Sequence, residues 1–423
     1  MQTEKFVVVS PYNVTIGNVG IIHNSEENMK TRREFMKRTA VGGIAGIIAT
    51  GAAPAYAKYM NRNKSIVSME DARKLHNKCL IIDGHNDTPV ERVAQGKNVS
   101  TMMQRDMTFQ MDVPRMKEVG FDSGSFIVGN GNIANVWVTI EQTKALIEAN
   151  PDDLMPVLSS GDIVRAGKKG KIGIILGIEG IAKWVMGETD TLRLLYRNGV
   201  RLVGISHGEG GDAPEVKVSS NKKYKDTVVG TTYLQGSRSP VRLCTPAERA
   251  DELKNARGLT PFGRAVLKTN NELGIITDLS HINDRAYFDV MELTTKPVIV
   301  SHTAAFTRCN HFRCLTDDQI KALADNGGAM GIIFAPQYLK AEQDQCTLDT
   351  LVEHICYVAD LVGIDHVGIG SDYDGGVKAP VVPEMSQLVS LTQTMMAHGL
   401  NEKEIKQIWG GNFLRILKQN IDQ

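Results

Sequence analysis

Residues 79–87 read CLIIDGHND, an apolar run that ends in a histidine and an aspartate two positions apart. Similar short apolar runs recur along the chain, and each ends in a polar residue able to bind a metal ion or carry a proton. The complete set is His85, Asp87, Glu179, His207, His281, His302 and Asp372. In a closed barrel of parallel strands the carboxyl ends of all strands meet at one face, so these side chains would share one cavity.

Eight apolar runs predict strands, and helical patterns lie between them. The predicted strands are residues 79–84, 123–128, 171–178, 200–206, 274–280, 296–301, 328–334 and 366–371. Near-continuous apolar runs are typical of parallel strands buried on both faces. The helices predicted around them are residues 68–77, 139–149, 189–198, 261–273, 283–293, 316–326 and 348–362.

This alternation predicts the α/β class and a (β/α)8 TIM-like barrel with a binuclear metal site at the C-terminal face of the strands. An open, doubly wound sheet is the alternative, but it usually carries a Gly-rich phosphate loop, which this sequence lacks. Thr316 to Gln319 has the pattern of a capping box, and Gly363 is placed to end a helix.

Composition limits the classes of ligand. The chain has 423 residues, 42% of them hydrophobic, and equal numbers (48 each) of basic and acidic side chains. It can therefore bury a large core, and it has no net positive field to bind nucleic acid or an anionic membrane. We expect a small, neutral or zwitterionic substrate, and a single barrel domain over residues 58–423.

The N-terminal residues 1–57 are interpreted as an extension followed by a twin-arginine signal peptide. Residues 31–37 read TRREFMK, with paired arginines, and a weakly apolar stretch and the small-residue motif Ala55–Ala57 follow. The apolar stretch has about 15 residues, whereas a spanning helix needs roughly 20. The pattern predicts a partnership with the twin-arginine translocase, export to the periplasm and cleavage before Lys58. Translation from Met1 or from Met29 is left open.

Residues 208–260 form an unusually long polar insertion, predicted to be an inserted loop that acts as a lid or a specificity loop. A surface decoration or an oligomer contact is the alternative, and a homodimer is left open. The six cysteines lack zinc-finger spacing. Cys79 is predicted to be a buried thiol, and Cys309–Cys314 and Cys346–Cys356 are candidate local disulfides.

The strand-end residues suit a pair of metal ions. His85 and Asp87 point the same way in extended chain and can bind one cation, and the Glu179 carboxylate can bridge two. One zinc ion is predicted on His85, Asp87 and Glu179, and a second on Glu179, His281 and His302. Such a pair, about 3.5–4 Å apart, activates a bridging water and polarises a carbonyl. Mn²⁺ and Co²⁺ can use the same ligands.

The sequence resembles the membrane (renal) dipeptidase family of zinc peptidases over most of residues 70–420. The resemblance rests on IIDGHNDTP, GIEG, the SH after the fourth predicted strand, LTPFGRAVLKTNNELG, DLSH, PVIVSHTAAF and GIGSDYDG. It implies a distorted (β/α)8 barrel, two zinc ions and hydrolysis of dipeptides, including those with a C-terminal D-residue. It places the family's metal ligands on His85, Asp87, Glu179, His281 and His302.

The resemblance also implies roles for three further residues. The family's substrate-carbonyl histidine falls on His207, its carboxylate-binding arginine on Arg313 and its active-site aspartate on Asp372. Hydrolysis by a metal-bridging hydroxide would then use Glu179 as the bridge, His207 as donor to the oxyanion and Asp372 as proton carrier. Arg313 would pair with the free carboxylate of the substrate.

Two alternatives remain. Another metal-dependent amidohydrolase would act on lactams, lactones or N-acyl amino acids, although such barrels usually carry HxH after the first strand and often a bridging lysine. A non-catalytic binding protein would have lost at least one ligand, yet all are present. The chain departs from the family directly after His207, where glycines and the polar insertion stand, so the shape of the substrate pocket is open.

Overall fold

The computed structural model describes residues 57–130, 136–185, 188–207, 243–377 and 379–422. These residues lie in one compact unit, Ala53–Gln423. The predicted signal peptide before residue 57 and residues 208–242 of the predicted insertion lie outside the described residues. Across the described ranges, no helix combines the length and the apolar character needed to cross a membrane.

Parallel strands form the centre of the molecule. They are β1 (Ile82–Asn86), β2 (Ser123–Gly129), β3 (Leu154–Pro156), β4 (Ile172–Ile178), β5 (Val200–Gly204), β6 (Ile276–Asp278), β7 (Ile299–Thr303), β8 (Ala329–Ile332) and β9 (Val367–Ile369). Eight of them pair in chain order, β1-β2-β4-β5-β6-β7-β8-β9. Asn86 at the end of β1 forms a parallel bridge with Tyr373, just beyond β9, which closes the ring. The predicted TIM-like barrel is therefore confirmed, since an open doubly wound sheet reverses its strand order.

All eight predicted strands are present, with shifted ends. His85 lies within β1 and His302 within β7, because each strand ends two residues later than the sequence indicated: Asn86 pairs with Phe126 and Thr303 with Ile332. β6 ends at Asp278, and His281 beyond it has a left-handed backbone (φ 64°). The short strand β3 was not predicted; it pairs only with β4, outside the barrel path.

Helices cover the outside of the barrel. They are α1 (Met69–His76), α2 (Thr88–Ala94), α3 (Val113–Val119), α4 (Val136–Ala149), α5 (Ser160–Lys168), α6 (Ala182–Val185), α7 (Asp190–Arg197), α8 (Pro246–Asn255), α9 (Pro261–Leu273), α10 (Asp284–Leu293), α11 (Asp317–Asp325), α12 (Pro336–Leu339), α13 (Leu348–Val362), α14 (Leu388–Ala397), α15 (Glu402–Lys406) and α16 (Asn412–Ile421). The capping box at Thr316 and Gln319 and the terminal Gly363 (φ 96°) are confirmed. α8 lies inside the insertion that was predicted to be a loop.

The barrel interior is apolar below the strand ends. Ile82, Ile175, Leu202, Ile276 and Ile299 point inward from different strands and form one buried cluster with α16. Phe413 of α16 reaches into this cluster beside Gly84, where a methyl group would come within 2.7 Å of the Phe413 ring. A glycine directly before His85 therefore lets α16 close the amino-terminal end of the barrel beneath the polar cluster.

The two candidate disulfides are not formed. All six cysteines lie within the described residues and all carry free thiols. The Cys309 and Cys314 thiols hydrogen-bond to each other without a covalent bond, and they also donate to the carbonyls of Gln337 and Tyr338. Cys79 is buried, as predicted, and donates to the carbonyl of Leu75 one helical turn earlier.

Candidate metal centre

The predicted strand-end residues converge at the carboxyl end of the barrel. Nε2 of His85 (β1) and Nε2 of His302 (β7) lie 3.9 and 3.4 Å from Oε1 of Glu179, which directly follows β4. These three strands are not neighbours in the sheet, so closure of the barrel is what brings the side chains together. All three side chains are buried.

Two overlapping triads share Glu179. His85, Asp87 and Glu179 form one, and Glu179, His281 and His302 form the other; the possible ligand atoms of each lie within 4.8 Å of one another. A third group that meets the same distance, His85, Asp278 and His302, was not predicted. His85 Nε2 lies 3.2 Å from Asp87 Oδ2. In the second triad His281 Nε2 lies 2.9 Å from both Glu179 Oε1 and His302 Nε2. These are the two groups predicted from the sequence, with Glu179 shared.

Glu179 is the acidic group at the centre of the cluster. Burial by itself raises the pKa of this carboxyl, but the positive field of the His207 and His281 imidazoles outweighs burial and lowers the pKa below its usual value. Burial likewise lowers the pKa of His85, yet the neighbouring Glu179 and Asp87 carboxylates prevail and raise the pKa of His85 to about 10. Glu179 therefore carries the negative charge around which the imidazoles are arranged.

The donor set fits metal ions. Imidazole nitrogens and carboxylate oxygens are preferred by Zn²⁺, and they also bind Mn²⁺ and Co²⁺. Two imidazole Nε2 atoms 2.9 Å apart, both beside one buried carboxylate, are arranged as convergent ligands. The residues therefore form clusters able to bind metal. Which ions bind, and how many, stay predictions.

His207 and Arg313 lie beside the second triad and come from two different segments of the chain. His207, after β5, places Nε2 3.7 Å from Glu179 Oε2, and its ring packs edge-on against His281 with centroids 4.7 Å apart. Arg313 lies in the segment between β7 and α11, and its Nη2 is 2.9 Å from His281 Nε2. Arg313 is only 7% exposed. Both residues thus lie beside the cluster, and the roles that the resemblance implies for them stay predictions.

Asp372 borders the first triad. Its Oδ1 lies 3.9 Å from His85 Nε2, and its backbone N–H donates to the His85 carbonyl. The backbone is left-handed at Asp372 (φ 59°), which turns the side chain into the cluster. Burial, followed by repulsion from Asp87, raises the pKa of Asp372 well above its usual value. A carboxyl with a raised pKa can hold and release a proton.

Gly375 leaves room for this arrangement. A methyl group at this position would lie 2.1 Å from Asp372 Oδ1 and 2.7 Å from Asp87 Oδ2. Asp374 also has a left-handed backbone (φ 64°) and accepts hydrogen bonds from Thr88 and from the backbone of Gln110. The turn is therefore held by Asp374, and the Asp372 side chain is left for the cluster.

Sequence reasoning missed a layer of polar residues beneath the triads. Asp278 at the end of β6 accepts from the backbone N–H groups of Ser280 and Ser301, and Ser301 Oγ contacts ring nitrogens of His85 and His302. The signal was present in the sequence, because a serine directly precedes the histidine in each of the three SH pairs. It gives no indication of which serine reaches the rings.

The histidines that were assigned no role in the metal site lie elsewhere. His76 bonds Thr392 and the Val119 carbonyl, and His354 bonds Leu339 and Ala305. His366 contacts the Gly328 carbonyl at the opposite end of its strand, and His398 pairs with Asp349. His311 accepts a hydrogen bond from the Arg313 backbone N–H and so supports the segment that carries Arg313. His23 lies outside the described residues.

A parallel barrel with imidazole and carboxylate side chains clustered at its strand ends defines the class of metal-dependent hydrolase-type barrels. The chain matches the family model for membrane dipeptidase (peptidase family M19) over residues 69–233 and 243–423, and it belongs to that family. A curated relative, dipeptidase tcpJ of Claviceps purpurea (strain 20.1), is 25% identical over 304 residues. The match covers 72% of this chain and 64% of that relative.

Solved structures share the fold. The probable dipeptidase PvdM from Pseudomonas aeruginosa matches with TM-score 0.69 and 20% identity, over 84% of this chain and 98% of the other. A metallopeptidase from Rhodobacter sphaeroides, solved with a phosphinate mimic of the dipeptide L-Ala-D-Ala, matches with TM-score 0.67 and 23% identity, over 81% and 99%. An amidohydrolase from Pseudomonas aeruginosa matches with TM-score 0.65 and 22% identity, over 83% and 99%.

Proposed function

We propose that this protein is an exported dizinc dipeptidase that hydrolyses the single peptide bond of dipeptides. Membership of the membrane dipeptidase family supports the reaction class. The observation that carries the proposal is the position of Arg313, a buried guanidinium 2.9 Å from a predicted metal ligand.

The position of Arg313 sets the length of the substrate. A guanidinium binds a carboxylate through two parallel hydrogen bonds, so it suits the free C-terminus of a peptide. One residue of extended chain spans roughly 3.5 Å. Because Arg313 contacts His281 directly, about one residue fits between a scissile carbonyl at the cluster and a carboxylate at the guanidinium. Longer peptides would extend past Arg313, so dipeptides are favoured.

Two other side chains are assigned chemical roles. His207 Nε2 lies 3.7 Å from Glu179 Oε2, beside the second triad, where an N–H can donate to a carbonyl oxygen as negative charge develops on it. Asp372, whose pKa is raised by burial and by Asp87, lies beside the first triad and can take a proton from water and deliver it to the leaving amine. When bound, two zinc ions would activate the attacking water and polarise the scissile carbonyl.

We extend the proposal to substrates with a C-terminal D-residue. The Rhodobacter sphaeroides metallopeptidase was solved with a mimic of L-Ala-D-Ala, and its fold matches this chain with TM-score 0.67. Recognition through the carboxylate, by Arg313, does not require an L-configured side chain on the terminal residue. The test is a comparison of L-Ala-L-Ala with L-Ala-D-Ala on the zinc-loaded protein.

A substrate panel tests the reaction class. The zinc-loaded protein is assayed against L-Ala-D-Ala, its C-terminal amide, its N-acetyl derivative and the tripeptide with one further C-terminal residue. The proposal predicts rapid hydrolysis of the free dipeptide and at least tenfold slower hydrolysis of the amide and the tripeptide. Hydrolysis of the N-acetyl compound alone would favour an N-acyl amino acid hydrolase instead. Equal rates on the amide and the free acid would refute the role of Arg313.

Export through the twin-arginine translocase remains part of the proposal. It rests on the paired Arg32 and Arg33 and on Ala55–Ala57 in the sequence, and these positions lie outside the described residues. Replacing both arginines with lysine should retain the protein in the cytoplasm as a longer, uncleaved chain. Cell fractionation and the mass of the N-terminal peptide measure this, and unchanged export of the variant would contradict it.

A further inference from the structure

We propose that Ser301 is a positioning residue for both metal-binding triads. Its hydroxyl, oriented by Asp278, holds the proton of His85 and the proton of His302 on Nδ1, so that both rings turn Nε2 toward the cluster. The inference rests on the proposed metal site and adds a single group that controls both halves of it.

Four contacts meet at the Ser301 oxygen. Ser301 Oγ lies 2.5 Å from Asp278 Oδ2, 2.9 Å from His302 Nδ1, 3.2 Å from His85 Nδ1 and 3.2 Å from Ser280 Oγ. All five side chains are buried. The Ser280 hydroxyl donates its own proton to Asp278 Oδ1 at 3.1 Å, so the one proton and two lone pairs of the Ser301 hydroxyl serve Asp278 and the two rings.

The direction of each bond follows from Asp278. Its carboxylate also accepts from the backbone N–H of Ser280 at 3.0 Å, from the backbone N–H of Ser301 at 2.8 Å and from the Ser280 hydroxyl at 3.1 Å. Two of these partners are backbone N–H groups, which can only donate, so Asp278 is the acceptor of this network. The Ser301 proton must therefore point to Asp278, and both imidazoles must donate from Nδ1.

The two rings share a group with Asp278, and they belong to different triads of the two that contain Glu179. His85 completes the triad with Asp87, and His302 completes the triad with His281. Their centroids are 3.9 Å apart, and each ring has Nδ1 on Ser301 and Nε2 facing Glu179. An imidazole that keeps its proton on Nδ1 binds a metal through Nε2, and metal binding displaces any second proton from that nitrogen. The Ser301 hydroxyl therefore orients His85, a ligand of one proposed ion, and His302, a ligand of the other.

Ser123 supplies a matched control. It is a fully buried barrel serine in β2 whose hydroxyl donates to the Gly173 carbonyl at 2.8 Å. No hydrogen bond of the described residues joins it to a ring of the cluster. Ser123→Ala removes the same hydroxyl from the same kind of strand, so it measures the structural cost of the substitution alone.

The experiment compares wild type, Ser301→Ala, Ser301→Thr and Ser123→Ala by zinc titration against a competing chelator and by thermal unfolding. We expect Ser301→Ala to bind both zinc ions about 10- to 100-fold more weakly, the usual effect of losing a group that orients a ligand. Ser301→Thr, which keeps the hydroxyl, and Ser123→Ala should bind as wild type does. Wild-type affinity at either site in Ser301→Ala, or an equal loss in Ser123→Ala, would overturn the inference.

A second measurement uses the wild-type protein, so it tests the role of Ser301 even if Ser301→Ala does not fold. Nitrogen-15 NMR of the imidazole rings reports which nitrogen carries the proton, and the inference requires Nδ1–H on both His85 and His302 in the zinc-loaded protein. A proton on Nε2 of either ring would overturn it. If wild type fails to bind two zinc ions, the proposed function fails, and the tautomer of His302 in the metal-free protein still decides the role of Ser301.

Discussion

Glu179→Gln is the substitution that tests the shared ligand most directly. Glu179 is the one residue common to both triads, whereas Asp87 belongs to the first alone. The amide keeps the size and shape of the buried carboxyl and removes its charge. We therefore expect Glu179→Gln to weaken both zinc sites, and the matched change Asp87→Asn to weaken one.

The magnitude follows from the contacts. Glu179 Oε1 lies 2.9 Å from His281 Nε2 and 3.4 Å from His302 Nε2, and it faces His85 at 3.9 Å in the other triad. Loss of a group that only supports a ligand weakens binding about 10- to 100-fold. Loss of a charged ligand should exceed this upper figure at each site, which corresponds to more than about 2.8 kcal/mol per ion.

The assay counts bound zinc. Each protein is dialysed against a buffer whose free zinc is held at ten times the wild-type dissociation constant, and zinc per chain is measured by mass spectrometry. We expect two ions in wild type, one in Asp87→Asn and none in Glu179→Gln, with circular dichroism confirming that all three fold. Two ions in Glu179→Gln, or equal loss in the two variants, would refute the shared-ligand reasoning.

Three further predictions concern specificity and stability. Arg313→Met should raise KM for dipeptides roughly 10- to 150-fold, because it removes a charge-assisted hydrogen bond worth about 1.5–3 kcal/mol. Arg308 lies in the same segment but pairs with Glu353, so Arg308→Met should leave the steady-state KM unchanged. Equal changes in KM for the two variants would exclude Arg313 as the group that binds the substrate carboxylate. Burial lowers the pKa of His354 to about 4, so the neutral ring stabilises the fold fully above the unfolded pKa of 6.5 and loses this contribution as the pH falls toward 4. The free energy of unfolding, measured in urea, should fall by about 3 kcal/mol over this pH range. His354→Gln should not show this fall, and the same pH dependence in that variant would exclude His354 as its cause. Arg249→Met should cost about 3–5 kcal/mol in denaturant unfolding, because it leaves the buried Asp284 carboxylate without the guanidinium that binds both its oxygens; a loss below 1 kcal/mol would contradict the pairing.

The fold was largely predictable because its signals are local. Apolar runs of strand length, capping residues such as Thr316 and terminal glycines such as Gly363 each act within a few positions of the chain, and all were confirmed. The predicted strand ends were wrong where they depend on hydrogen bonding with neighbouring strands. β1 and β7 extend through His85 and His302 because neighbouring strands continue to pair there. α8 was not predicted because it lies in a polar segment whose composition indicated a loop.

In the candidate site, too, some features follow from local sequence and others depend on contacts between distant segments. The sequence by itself determined which residue types follow the strands, and the topology of a parallel barrel requires that such positions meet. It did not determine the contacts among β1, β4 and β7, which depend on closure of the ring between Asn86 and Tyr373.

Only the tertiary structure decided which atoms face one another. It placed Arg313 against His281, turned Asp372 inward through a left-handed backbone and set the Ser301 hydroxyl between two imidazoles. Strand periodicity is a property of neighbouring residues, so sequence reveals it. The side chain that a ring nitrogen meets across a barrel depends on distances between segments more than 200 residues apart, as for Ser301 and His85, and only packing determines them.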